Sequence, residues 1–394
     1  MSKILRPEIG YLLNEIAQSL DISDSLFEEA EKKYRAVGSW LGEGDSPLAK
    51  FTPEIYPQGS FLLGTVIKPP SDEDEYDIDL VFRLLISKDQ ITQKELKDLV
   101  GDRLKSSELY KHMLDEEGKR CWTIKYAEST QFHMDILPAI PDESYSSPLQ
   151  KKVIPVNFSN TGINITDKTL GNYSLPSTDW PRSNPKGFAA WFRSRMLIQY
   201  SELYKRVFGE TFKAEIEKVP NYRIKTPLQR CIQLLKRHRD IIFVNDKDNK
   251  PASILITTLA ANAYENEADI VDAMVNIIDR MPSFLLRQNG VTWVPNPIDP
   301  TENFADRWGD NPNQEHNFGY WLQKVKSDFN KILSCYDSDS ARTIFTPIFG
   351  ERVSNSSITK LEEKSKSQAP IYNSVLQKAP PIVNITNPPK PWRA

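Results

Sequence analysis

Three carboxylates, Asp77, Asp79 and Asp135, are the residues whose types and spacing point most directly to chemistry. The first two lie in Tyr76-Asp77-Ile78-Asp79-Leu80-Val81-Phe82. A strand turns successive side chains to opposite faces, so the two acids project together while Tyr76, Ile78 and Leu80 face a core. A second alternating run, Gln131-Phe132-His133-Met134-Asp135-Ile136, puts His133 and Asp135 on one face and Phe132, Met134 and Ile136 on the other. If the two strands are neighbours, the three acids form one cluster. Crowded like charges repel, and a divalent cation bound together with substrate phosphates removes that repulsion; oxygen ligands suit Mg²⁺, with Mn²⁺ as an alternative. Two such ions can clamp the attacking and leaving oxygens of an in-line phosphoryl displacement. One Asp-x-Asp alone is more often a pair of solvated acids. The third acid, and the turn in Tyr56-Pro57-Gln58-Gly59-Ser60-Phe61, favour catalysis. Gly59 lets backbone approach a phosphate closely, and Ser60 offers a hydroxyl and an amide. Gly-Ser is commonly a plain turn, and only its place before the Asp-x-Asp strand gives it more meaning.

Elements that would position these groups are legible along the chain. Apolar residues at helical spacing from Pro7 to Val37 predict two helices, broken at Asp21-Ile22-Ser23-Asp24 with Ser23 or Asp24 capping the second. Strands are expected over Glu75–Leu85, Cys121–Tyr126 and Gln131–Ile136, with a helix near Gln93–Leu109. This alternation predicts a mixed α/β layer. Residues 141–187 are rich in Pro, Ser, Asn and Thr and read as a long surface connection. From Phe188 to about Ser334 the pattern is mostly helical. Its sharpest start signal is Thr226 as N-cap with Pro227 at the first helical position, opening a helix through Asp240. Another helix is expected over Ala252–Glu265. Pro370, Pro380, Pro381, Pro388, Pro389 and Pro391 predict an extended or disordered tail after Gly350. The expected organisation is thus residues 1–180 as N-terminal helices plus a catalytic lobe, 181–345 as a helical lobe, and 346–394 as a flexible tail.

At 394 residues, 39% hydrophobic and 26% charged, the chain reads as an ordinary two-domain globular protein. A net charge of −3 argues against a nucleic-acid coat protein but not against a local basic patch. Three scattered cysteines and four scattered histidines show neither a disulfide framework nor a zinc spacing. Met1–Pro7 carries no apolar signal core and no apolar run reaches membrane length, so the cytoplasm is the expected compartment.

These residues resemble the bacterial cGAS/DncV-like nucleotidyltransferases (CD-NTases) of CBASS anti-phage defence. The wider likeness is to polymerase-β-type nucleotidyltransferases, including oligoadenylate synthetase and cGAS. The resemblance rests on Gln58-Gly59-Ser60, Asp77-Ile78-Asp79, Asp135, Ser183-Asn184-Pro185-Lys186-Gly187-Phe188, Leu234-Leu235-Lys236-Arg237-His238-Arg239-Asp240 and Pro251-Ala252-Ser253-Ile254. It implies a polymerase-β-like nucleotidyltransferase lobe and a helical lobe of the poly(A)-polymerase/oligoadenylate-synthetase kind that closes over the nucleotide. It also implies an enzyme that joins nucleoside triphosphates, releases pyrophosphate and cyclises a di- or trinucleotide messenger sensed by an effector.

By the same resemblance, Asp77 and Asp79 hold the metal on the donor triphosphate and Asp135 helps hold the second. Gln58, Gly59 and Ser60 contact the nucleotide. Lys236 reaches the triphosphate, Ser253 makes a polar phosphate contact, and Ile254 packs on the donor base. The residues themselves leave alternatives open: a solvated face for Lys236, Arg237, Arg239 and Asp240, a helix N-cap for Ser253, an ordinary strand histidine at His133, solvation for Glu75, and plain burial rather than base stacking for Trp180 and Trp191. Without the animal sensor's zinc insertion, direct activation by double-stranded DNA is not expected. The tail ends Pro391-Trp392-Arg393-Ala394 and resembles tails conjugated at a C-terminal residue by a ubiquitin-transfer-like partner; an end without a role fits as well. Two rival functions stand beside the messenger synthase: a non-cyclising nucleotidyltransferase acting on RNA or protein, and a silent nucleotide- or RNA-binding module.

Overall fold

A computed structural model describes residues 4–70, 76–126, 132–143, 160–209 and 224–368. Glu75, Gln131, the middle of the 141–187 connection, and the tail from Pro370 to Ala394 lie outside the described residues.

The chain opens with helices α1 (Arg6–Ser19) and α2 (Asp24–Gly42), the second capped by the Ser23 hydroxyl, which accepts from the Leu26 amide at 3.2 Å. Then come β1 (Glu54–Pro57), the short α3 (Gly59–Leu63), β2 (Tyr76–Arg83), α4 (Gln93–Lys105), α5 (Glu108–Met113), β3 (Trp122–Lys125) and β4 (Phe132–Pro141). Two short strands, β5 (Ile163–Ile165) and β6 (Arg182–Ser183), lie within the stretch expected to be connection. They are too short to show alternation, and pairing of β5 with β4 and of β6 with β5 defines them. The sheet runs β1-β2-β4-β5-β6, with β3 on β4. β2 and β4 are parallel, whereas β1, β3 and β5 pair antiparallel with their neighbours.

The remainder comprises α6 (Pro185–Phe208), α7 (Pro227–Ile242), α8 (Ser253–Ala263), α9 (Ile270–Arg280), the strand pairs β7 (Leu286–Gln288) with β8 (Val291–Trp293) and β9 (Pro295–Asn296) with β10 (Asp299–Asn303), and then α10 (Pro312–Leu333), α11 (Ser338–Phe349) and α12 (Glu351–Gln368). Asn184 caps α6, accepting from the Gly187 amide at 2.9 Å, so this helix starts at Pro185 rather than Phe188. α7 begins as its sequence predicts: the Thr226 hydroxyl accepts from the Gln229 amide, and Gln229 Oε1 accepts from the Thr226 amide at 2.9 Å.

Two cores organise these elements. The sheet core holds Ile78, Leu80, Phe82, Met134 and Ile136 under α2 and α4. The helical core gathers α7–α11 and also α1, through Ile9, Leu12, Leu13 and Ile16. Grouping α1 with the catalytic lobe is therefore corrected: its apolar stripe lies against α7, α9 and α12. The tail boundary at 346 is corrected too. α11 continues to Phe349 and α12 runs from Glu351 to Gln368, because the tail prolines begin only at Pro370 and Ile358 and Leu361 bury against the helical core. The fold is a mixed α/β sheet layer beside a mainly helical layer.

Candidate active site

The predicted strand faces are found in the structure. Tyr76, Ile78 and Leu80 are buried while Asp77 is exposed and Asp79 half-buried; on β4, Phe132, Met134 and Ile136 are buried while His133 and Asp135 are half-buried. Parallel pairing sets Asp79 opposite Asp135 and Asp77 opposite His133. Same-face partners on adjacent strands lie within side-chain reach. His133 Nε2 forms an ion pair with the Asp77 carboxylate. Burial, then the Asp77 and Asp135 charges, push the Asp79 carboxyl up to about 7, against the pull of His133 and Lys236.

The Gly-Ser turn lies directly against this strand. The Gln58 amide donates to the Asp79 carbonyl at 2.8 Å. Gly59 has φ +58°, and a Cβ there would stand 2.5 Å from Asp79 Oδ2. Only glycine meets both conditions without displacing something. Ser60 follows, half-buried, in the first turn of α3.

Does this arrangement suit a divalent cation? Two carboxylates face each other across neighbouring strands, crowded enough to disfavour the charged form of one. Among the described residues, no three His, Cys, Asp or Glu side chains converge on a single point. A magnesium ion commonly takes one or two carboxylates and completes its shell with water and substrate phosphates. The Asp79–Asp135 pair fits that mode, with Asp77 beside it.

Lys236 comes into the same electrostatic neighbourhood from α7. Its ammonium donates to Thr65 O at 3.1 Å and Thr65 Oγ1 at 3.2 Å. Burial, then Arg239, bring the amine down to about 7, while Asp240 and Asp79 oppose that shift. The solvated-face reading of this helix is corrected: Lys236, Arg237, His238 and Arg239 are all buried. Arg239 donates to Ser253 Oγ at 2.8 Å and Pro251 O at 3.1 Å. Ser253 is the first residue of α8 and Ala252 occupies the N-cap, so the capping role considered for Ser253 does not hold. Ile254 packs half-buried against the helical core. Among the described residues, no hydrogen bond or ion pair joins Ser253 to the carboxylates. Trp180 is buried in the sheet core, its indole donating to Ser177 O, and Trp191 packs beside Phe188 in the helical core.

Thr123 was not foreseen. Its hydroxyl donates to Asp135 Oδ1 at 2.5 Å from the facing position on β3. The signal was present: Trp122 and Ile124 alternate with Thr123 and Lys125, so the polar pair shares the carboxylate face. Cys121 lies next to this strand, but burial and then the Asp135 charge push its thiol up to about 12, which leaves it protonated and unreactive.

Residues 53–138, which span the turn and all three carboxylates, match the family model of the cyclic GMP-AMP synthase DncV-like nucleotidyltransferase domain. Over those residues the chain is similar to the DncV-like nucleotidyltransferases. A c-di-GMP synthase of Roseivirga ehrenbergii is 28% identical over 343 residues, 86% of this chain and 83% of that protein. The cyclic dinucleotide synthase CdnG of Bradyrhizobium diazoefficiens is 25% identical over 327 residues, 80% of this chain and 73% of that protein. The solved structure of that CD-NTase in complex with GTP superposes with a TM-score of 0.66 at 22% identity, covering 90% of this chain and 99% of the other. At that identity the superposition establishes the shared fold. The matched residues take in the Gly59 turn and the paired strands β2 and β4.

Proposed function

We propose that this chain is a CD-NTase that joins ribonucleoside triphosphates into a cyclic dinucleotide messenger, with a guanine nucleotide among its substrates. The observation that carries the reading is the register of β2 on β4, which sets Asp79 against Asp135, with Gly59 lying against the Asp79 carboxylate from the end of β1. In each transfer a ribose hydroxyl oxygen bonds to the α-phosphorus of a second triphosphate and the bond to pyrophosphate breaks. The same step repeated within the linear product closes the ring. Asp77, Asp79 and Asp135 would hold magnesium, which would supply charge neutralisation on the phosphates and favour loss of the attacking hydroxyl's proton. Thr123 fixes the Asp135 carboxylate by its hydrogen bond. The Gln58–Gly59–Ser60 backbone, held to β2 by the Gln58 amide, forms the floor for the triphosphate. Lys236, released from Thr65, reaches that triphosphate as a point charge. The sheet core acts as the catalytic lobe and the helical core as the clamp, with Ser253 and Ile254 on its nucleotide-facing end. The name of the Roseivirga relative, a c-di-GMP synthase, and the GTP in the solved CdnG complex support guanine.

A role in CBASS anti-phage signalling through a nucleotide-sensing effector belongs to the same reading, as does a cytoplasmic site of action. No described helix is long and apolar enough to cross a membrane. Conjugation through Ala394 is a further part of it, tested by mass spectrometry of protein co-expressed with its neighbouring genes; only unmodified Ala394 would count against it.

The deciding experiment incubates the protein with all four ribonucleoside triphosphates and Mg²⁺ or Mn²⁺. Products are treated with phosphatase and resolved by chromatography and mass spectrometry. A phosphatase-resistant guanine-containing cyclic product, absent with Asp77→Asn/Asp79→Asn, is expected. Linear products only, or transfer only to added RNA or protein, would replace this reading with a non-cyclising enzyme.

A further inference from the structure

The segment 63–69 starts at the last residue of α3 and leads from the Gly59-Ser60 turn toward the strand of Asp77 and Asp79, and beyond Leu63 it has no regular structure of its own. Loop carbonyls are usually left to water. Here they are taken up in succession by side chains more than 150 positions away. Gln229 Nε2 donates to Leu63 O at 2.9 Å, and Lys225 Nζ to Gly64 O at 2.6 Å. Lys236 Nζ donates to Thr65 O at 3.1 Å, Gln233 Nε2 to Val66 O at 2.9 Å, and Arg237 Nη2 to Lys68 O at 2.8 Å. The Lys68 amide in turn donates to Leu20 O, just past the end of α1, at 2.8 Å.

Gln229, Gln233, Lys236 and Arg237 recur at helical i, i+4 and i+7/i+8 spacing and so form one face of α7. The opposite face, with Cys231, Leu235 and their neighbours, is sealed in the helical core. All four polar residues are buried, Gln233 completely and Arg237 to 4% exposure, so the donors named above face this segment rather than solvent, while Arg237 Nε is buried without a partner among the described residues. Gln233 has a second bond, to Asp21 Oδ1 at 2.8 Å, and Arg230 donates to Asp21 Oδ2 at 2.7 Å, which ties the α1–α2 junction into the same grip.

We infer that Gln233 and Arg237 are positioning residues for nucleotidyl transfer: they fix the backbone of 63–69 and thereby set the Gly59 turn against the metal-binding strand. The helical core then controls the geometry of the carboxylate pair without touching it. This inference rests on the proposed nucleotidyl transfer for its kinetic consequence, but not for its structural one. Arg237 and Gln233 are better probes than Lys236, which the proposed mechanism also assigns to the triphosphate.

The test uses the full chain with Arg237→Met, Gln233→Leu, Arg237→Lys as the conservative variant, and Arg342→Gln as a control. Arg342 pairs with Glu362 and Asn355 elsewhere in the helical core. Hydrogen exchange is followed by mass spectrometry alongside kinetics with GTP. Arg237→Met and Gln233→Leu are expected to speed exchange at 59–69 and 76–83 while α8–α10 keep wild-type protection. A misplaced reacting group costs on the order of 10–100-fold in rate, so kcat should fall by that factor while KM for GTP moves less than about threefold. Arg237→Lys, which can still donate to Lys68 O, should recover most of the rate, and Arg342→Gln should match wild type. Unchanged exchange at 59–69 and 76–83 would overturn the inference, and so would loss of protection throughout the helical core. If the wild type makes no nucleotide product, the proposed function fails, while the exchange data still decide whether α7 holds the segment.

Discussion

Replacing Gly59 with alanine separates two demands that the structure places on one residue. The first is backbone conformation: φ is +58°, where an L-residue costs about 1–2 kcal/mol. The second is contact: the new Cβ would stand 2.5 Å from Asp79 Oδ2. Ordinary contact distance is roughly 3.5 Å, so the carboxylate must retreat by about 1 Å. A 1 Å displacement of a reacting group costs on the order of 100-fold in rate, or about 2.7 kcal/mol of barrier. Gly44 supplies the internal reference. Its φ is +63° and a Cβ there meets nothing within 4 Å. Gly44→Ala should therefore suffer the backbone cost alone, and the two variants should lose similar thermal stability, about 2–4 °C for each kcal/mol. Only Gly59→Ala should lose product formation, measured as initial cyclic-nucleotide yield under saturating GTP and Mg²⁺. If Gly59→Ala runs within about threefold of Gly44→Ala, the contact with Asp79 does not govern catalysis and the argument fails.

The carboxylates, the capping box and the buried histidine give further tests. Metal-free Asp79→Asn should melt no lower than wild type, because the substitution relieves a crowded like charge, yet Mg²⁺ plus GTP should raise the melting temperature of wild type only; an equal ligand-induced rise in both would remove Asp79 from the metal site. Thr226→Ala breaks the capping box of α7 and should cost about 1 kcal/mol in urea unfolding, and an unchanged midpoint would contradict that. His238 accepts from Trp321 Nε1 at 3.1 Å through Nδ1, so Nε2 carries the proton and faces Asp328. Burial brings its pKa down to about 4 despite Asp328, which Lys324 and Lys331 also contact. The unfolded chain therefore binds a proton that the folded one refuses, and stability present above pH 6.5 drains away as pH falls toward 4, by about 2–3 kcal/mol. His238→Gln should flatten that part of the urea-midpoint profile, whereas parallel profiles would count against it.

Much of this was legible in the residues because it is local. Alternation over Tyr76–Phe82 and Phe132–Ile136 assigns each side chain a face whatever the strands pair with. Ser23 and Thr226-Pro227 announce their helices because capping involves only the next three residues. Helix α12 was obscured by attention to prolines that all lie beyond it, and β5 and β6 by their brevity.

The sequence by itself determined which side chains share a face: the three acids outward, and Gln229, Gln233, Lys236 and Arg237 together on one side of a helix. Tertiary structure alone decided what those faces meet. Parallel pairing of β2 with β4 brought Asp79 to Asp135, and packing of α7 turned an apparently solvated basic face onto the carbonyls of 63–69. α1 joined the helical core rather than the sheet for the same reason. Local periodicity records how a segment presents its residues, whereas the surface it is pressed against is chosen by contacts from far along the chain.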